Sequence, residues 1–132
     1  MTTAQTIREP AKRKPRVLVI DDDREAVEVL AELLSLRGYA VDVAFDVADG
    51  LLCYEAKGHE VVVSDLSFDN ASGTEVARKL SGSARKPLLI AMTGHVGADA
   101  ARRSLEAGFV YYVAKPIDWE PFERLLLTRE RN

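Results

Sequence analysis

Five short apolar runs recur along this chain, each separated from the next by a segment with helical spacing, and that alternation leaves few folds open. Residues 17–20 read VLVI, wholly apolar, as expected of a strand covered on both faces. Further runs occupy 40–44, where Asp42 interrupts, 60–64, with three consecutive valines, then 87–91 and 109–114. Pro87 is tolerable because it stands first in its run. Between them, Val27, Leu30, Ala31 and Leu34 make one helical stripe closed by Gly38. Residues 47–57 are helical up to Gly58, 73–80 form a short helix, and 98–107 stop at Gly108. Asp118 is placed to cap a last helix that offers Trp119, Phe122, Leu125 and Leu126 to the core. Strands alternating with helices predict an α/β fold: a doubly wound, five-stranded parallel sheet.

The 132 residues suffice for one such core and no more. The net charge of −3 is unevenly spread. Residues 1–16 carry Arg8, Lys12, Arg13, Lys14 and Arg16 against Glu9 alone, a local +4 that leaves −7 on the rest. With Pro10 and Pro15, residues 1–15 read as a flexible basic leader and 16–132 as the folded domain. An acidic body argues against nucleic acid as partner. No run approaches the ~18 apolar residues of a membrane span, and no export signal is visible, so the expected setting is the cytoplasm. Cys53 is the only cysteine, which rules out an internal disulfide; it is expected to be a small packing group on a helix. His59, between Gly58 and Glu60, reads as a surface turn residue.

In doubly wound sheets, sites lie outside the carboxyl ends of the strands. The first strand delivers Asp21 and Asp22 there, with Asp23 behind them as the expected cap of the first helix. The third delivers Asp65, the fourth Thr93, and the fifth Lys115 followed by Pro116. Crowded carboxylates repel unless a cation sits among them, and hard oxygen donors suit magnesium. A carboxylate can attack phosphorus directly to give an acyl phosphate. The oxygens of the moving phosphoryl group would then be neutralised by metal, by the Lys115 ammonium and by the Thr93 hydroxyl.

These pieces, VLVIDDD, VVVSD, LLIAMTG and YYVAKP in that order, resemble the response-regulator receiver family of two-component signalling over residues 16 to 128. The resemblance implies the flavodoxin-like (βα)5 fold of chemotaxis-type regulators. It implies Asp65 as phosphoacceptor, Asp22 as direct metal ligand, Asp21 as a ligand through water, and the Ser67 backbone carbonyl as a further ligand. Thr93 would be the switch hydroxyl, Lys115 the phosphate partner, and Tyr112 the switch aromatic, with Lys115–Pro116 cis. The implied partner is a histidine kinase or histidine phosphotransfer protein, and the implied assembly a monomer or weak homodimer. The AMTGH, EAGF and KPID segments are similar to receivers attached to hybrid kinases. With no output domain after the last helix, the response is expected to pass through protein contacts.

Some positions depart from the family or stay open. Asp69 and Phe68 replace the usual proline and aliphatic residue after the acceptor, although Gly73 falls where the family has glycine. His95, two past Thr93, is either a loop residue or a modulator of the reaction rate. Tyr111 and Tyr112 must point to opposite faces, so a register shifted by one would exchange their roles. A pseudo-receiver that never takes phosphate is one alternative. A haloacid-dehalogenase-type phosphatase, with Asp21 as nucleophile and Asp23 as acid–base, is another. Glu25 and the lack of an acidic pair after the lysine count against the phosphatase.

Overall fold

The computed structural model describes residues 13–66, 73–94 and 98–129. Five strands and five helices alternate: β1 Val17–Ile20, α1 Arg24–Leu36, β2 Val41–Ala44, α2 Val47–Lys57, β3 Val61–Asp65, α3 Thr74–Leu80, β4 Leu88–Thr93, α4 Ala98–Ala107, β5 Tyr111–Ala114 and α5 Trp119–Leu127. All neighbouring strands pair in parallel in the order β2-β1-β3-β4-β5. The order reverses between β1 and β3, the switch point where such folds open a crevice. Among the described residues, no helix is long and apolar enough to cross a membrane.

Side chains alternate across the sheet and build two cores. Leu18, Ile20, Val62, Leu89 and Ala91 pack with residues of α2, α3 and α4. Val17, Val19, Val61, Val63 and Ile90 pack on the other face with α1 and α5, through Val27, Leu30, Leu34, Phe122 and Leu126. The central strands are thus dry on both sides, which is why β1 and β3 carry almost no polar residue.

Strand ends differ from the sequence expectation by one or two residues, for visible reasons. β3 extends to Asp65, which pairs with Met92, and β4 extends to Thr93, which pairs with Ala114. Continued pairing therefore places Asp65 and Thr93 on the ladder itself. β5 begins later than residue 109, because the Phe109 amide is taken by the Ser104 carbonyl at 3.0 Å as α4 ends.

Caps follow local chemistry. Asp23 caps α1 as expected, accepting from the Ala26 amide at 3.2 Å. Asp46 does the same for α2, accepting from the Asp49 amide at 2.7 Å. Asp118 holds the N-cap position of α5 but makes no side-chain capping bond. The third helical residue is Pro121, which has no N–H to give it.

His59 is not a surface turn residue: it is only 1% exposed. Gly58 adopts the left-handed conformation, φ +64°, and its Cβ would meet the Arg85 guanidinium at 1.5 Å. The tight turn sends the next side chain inward, where His59 Nε2 lies 2.7 Å from Asp42 Oδ2 and the ring stacks obliquely near Tyr54. Asp42, the residue that interrupts the second run, is thus the partner of a buried imidazole. Cys53 packs half-buried against the same core, as expected.

Phe122, 1% exposed, is the largest fully buried side chain on the α5 side. Phe122→Ala should cost about 3–5 kcal/mol in urea denaturation, through lost transfer energy and the cavity left. Burial pushes the His59 pKa below its ordinary 6.5, outweighing the attraction of Asp42. The unfolded chain therefore takes up this proton first, and stability should fall as pH drops below 6.5 toward the folded value. Chemical denaturation across that window should show a shallower fall for His59→Gln.

Candidate functional site

The carboxyl ends of β1, β3, β4 and β5 meet over the switch point. Asp21 follows the last residue of β1, and its amide donates to the Ala44 carbonyl at 3.1 Å, so the β1–β2 ladder aims it. Its side chain is 2% exposed, and Asp21 Oδ1 accepts from the Asp23 amide at 3.1 Å. Asp22 is exposed and Asp65 is 7% exposed. One oxygen from each of Asp21, Asp22 and Asp65 lies within 4.8 Å of the other two.

Lys115, at the end of β5, reaches across this cluster. Its Nζ donates to Asp21 Oδ2 at 2.6 Å and stands 3.6 Å from Asp65 Oδ1. Burial opposes charge on Lys115, but the hydrogen bond to Asp21 and the charges of Asp65 and Asp21 outweigh it, holding its pKa above the ordinary lysine value of 10.5. The Lys115 amide donates to the Thr93 carbonyl at 2.8 Å, tying the lysine to the strand that carries the hydroxyl. The Lys115–Pro116 bond is cis.

Thr93 is 2% exposed at the end of β4. The register settles the tyrosine pair: Tyr112 pairs with Ala91 and packs with the α2–α3–α4 core, the face Thr93 shares two residues on from Ala91. Tyr111 packs on the α1–α5 side. Ser67 and His95 lie outside the described residues, as do Phe68 and Asp69.

Gly73 lies directly behind Asp65. Its amide donates to the Leu66 carbonyl at 2.9 Å, and a Cβ there would sit 1.8 Å from the Asp65 carbonyl oxygen. Only glycine lets the chain pass so close behind the site. The sequence also left one feature unseen. A cleft of about 680 Å³ runs from Asp21 and Lys115 along Ala26, Leu30, Leu33 and Ile117. Its one linear trace is Val29, an apolar residue off the core-facing stripe of α1 and 65% exposed.

Among the described residues, the edge brings three carboxylates together with one ammonium. The donors are hard oxygens with an exposed member, which fits a small divalent cation that keeps part of its water shell. A preorganised ammonium between two carboxylates is also positioned to receive a dianionic group.

A model of the response regulator receiver domain matches residues 17–126. The chain is 29% identical over 113 residues to the acid tolerance regulatory protein ActR of Rhizobium meliloti, covering 86% of this chain and 58% of that protein. It is 32% identical over 116 residues to the response regulator MprA of Mycobacterium tuberculosis, covering 88% and 49%. The chain thus spans about half the length of these curated relatives. Among solved structures, it is similar to a Burkholderia pseudomallei response regulator with a phosphorylated aspartic acid, calcium ion and citrate. That match has a TM-score of 0.78 and 30% identity, covering 84% of this chain and 65% of the other.

The charge imbalance has a measurable consequence. Without divalent cation, Asp65→Asn should raise stability by about 1 kcal/mol, because it relieves carboxylate repulsion more than it loses from Lys115. Lys115→Met should instead lower it by about 1–3 kcal/mol, leaving Asp21 buried without its cation. Urea denaturation in chelator checks both signs.

Proposed function

The chain belongs to the response regulator receiver domain family, and from that premise we propose that Asp65 accepts a phosphoryl group from a phosphohistidine on a kinase or phosphotransfer protein. The observation that carries this reading is the Lys115 ammonium lying 2.6 Å from Asp21 and 3.6 Å from Asp65 at the meeting point of separate strands. An Asp65 oxygen attacks phosphorus, the phosphorus–nitrogen bond to the partner's imidazole breaks, and the product is an acyl phosphate on Asp65. Lys115 neutralises one phosphoryl oxygen and the Thr93 hydroxyl hydrogen-bonds another. Magnesium, held by Asp21, Asp22, Asp65 and the Ser67 carbonyl, would supply the remaining charge compensation. The cleft along α1 leads to Lys115, so the donor protein approaches there.

Transmission follows from the shared face of Thr93 and Tyr112. When Thr93 turns toward the phosphate, it vacates space beside β5 that Tyr112 fills by rotating inward. Partners that prefer one arrangement read the state of Asp65 by shifting its population. We assign the chain a signalling rather than a metabolic role, acting in the cytoplasm.

Acetyl phosphate with magnesium should give an acid-stable, base-labile phosphate on the wild-type chain, lost in Asp65→Asn and retained in Asp69→Asn. Phosphate on Asp69 would overturn the assignment, and no phosphate on any residue would favour a pseudo-receiver. Magnesium should also move the Asp22 and Asp65 amide resonances.

A further inference from the structure

A second group of ligating side chains lies at the opposite edge of the sheet and plays no part in the chemistry above. Asp42 pairs in register with Leu18 near the amino end of β1, and His59 stands just before β3. Cys53 lies on α2, one turn before Lys57. One ligand atom each from Asp42, Cys53 and His59 falls within 4.8 Å of the others. His59 Nε2 already points at Asp42 Oδ2, 2.7 Å away. Its other nitrogen, Nδ1, is buried without a hydrogen-bond partner among the described residues, so the ring is held from the Asp42 side alone. An imidazole buried this completely normally has both nitrogens engaged.

We propose that Asp42, Cys53 and His59 form a binding site for a thiophilic divalent cation, of which zinc is the representative. Sulfur, nitrogen and oxygen donors together select zinc over magnesium or calcium, which take oxygen alone. Tetrahedral zinc holds such atoms about 3.2–3.8 Å apart, so His59 Nε2 and Asp42 Oδ2 open from 2.7 Å on binding to admit the ion between them. The charges also match. A carboxylate and a thiolate neutralise a dication, and a neutral imidazole completes the donor set. The Cys53 proton leaves to solvent as the sulfur–metal bond forms. In the cation-free chain the place of the dication is taken by Lys57, whose Nζ donates to Asp42 Oδ1 at 2.8 Å. Half-exposed, Lys57 swings to water when metal enters.

The test uses the full, reduced chain titrated with cobalt and then zinc. Zinc is also attracted by the carboxylates around Asp65, so the readout is the thiolate-to-cobalt charge-transfer absorption, which oxygen ligands do not give. One thiolate-bound cobalt per chain, displaced by zinc and kept in Asp22→Asn, is expected. Cys53→Ser should abolish the band, while Asp42→Asn and His59→Gln should each weaken zinc binding at least ~10-fold. Lys57→Met, which removes the competing cation from the solvent side, should tighten it. Absence of the band at excess cobalt overturns the proposal. So does a band undiminished in Asp42→Asn, or zinc binding weakened by Lys57→Met; neither of these two variants alters a buried side chain.

Discussion

The crowding of carboxylates at the carboxyl edge is the constraint from which much else follows. Asp21, Asp22 and Asp65 arrive on two adjacent strands, with an oxygen from each within 4.8 Å of the others. Such a cluster is unfavourable in isolation and tolerable only with positive charge nearby. Lys115 supplies part of that charge from β5, two strands away from β3. The β4–β5 register is therefore more than packing: it delivers the ammonium to where the repulsion is greatest. Among the described residues the site stays short of charge balance, a shortfall that a divalent cation would offset. Crowding of this kind costs stability, a pattern common to functional sites.

The two opposite faces of the sheet divide the work. On the α1–α5 side, the cleft beside Leu30 and Ile117 opens toward Lys115. On the α2–α3–α4 side, Thr93 and Tyr112 share the surface on which α4 rests. On the proposed reading, a partner arriving along α1 would meet the carboxylate edge without touching the face that would register the result. The central strands between them, β1, β3 and β4, are buried on both sides, so a change at the end of β4 would be passed on through packed side chains.

Much of this was legible in the linear chain. The wholly apolar VLVI and VVV runs could only be strands covered on both faces, and they implied a parallel sheet with helices above and below. Because parallel strands all end at one edge, Asp21, Asp22, Asp65, Thr93 and Lys115 could be assigned to one site from order alone. What stayed hidden depends on long-range geometry. His59 looked like a turn residue because burial is set by where the Gly58 turn aims it, and its partner Asp42 lies 17 residues away. Asp118 looked like a cap because the pattern registers its type, while the missing donor at Pro121 matters only once the helix start is placed.

The tyrosine pair marks the boundary between the two kinds of information. Residues 111 and 112 both suit a strand, and the pattern alone states only that they face opposite ways. Which one sits beside Thr93 depends on the pairing of Ala91 with Tyr112, a relation between strands about 20 residues apart that no local preference encodes. The chain by itself determined the layers, the order of elements and the set of reactive side chains, because apolar periodicity and strand-end position are local properties. Tertiary structure decided which side chains meet: Lys115 with Asp21, Tyr112 with the Thr93 face, His59 with Asp42. Those pairings come from register and from the packing of helices on the sheet, where the free energy of one contact depends on every other being in place.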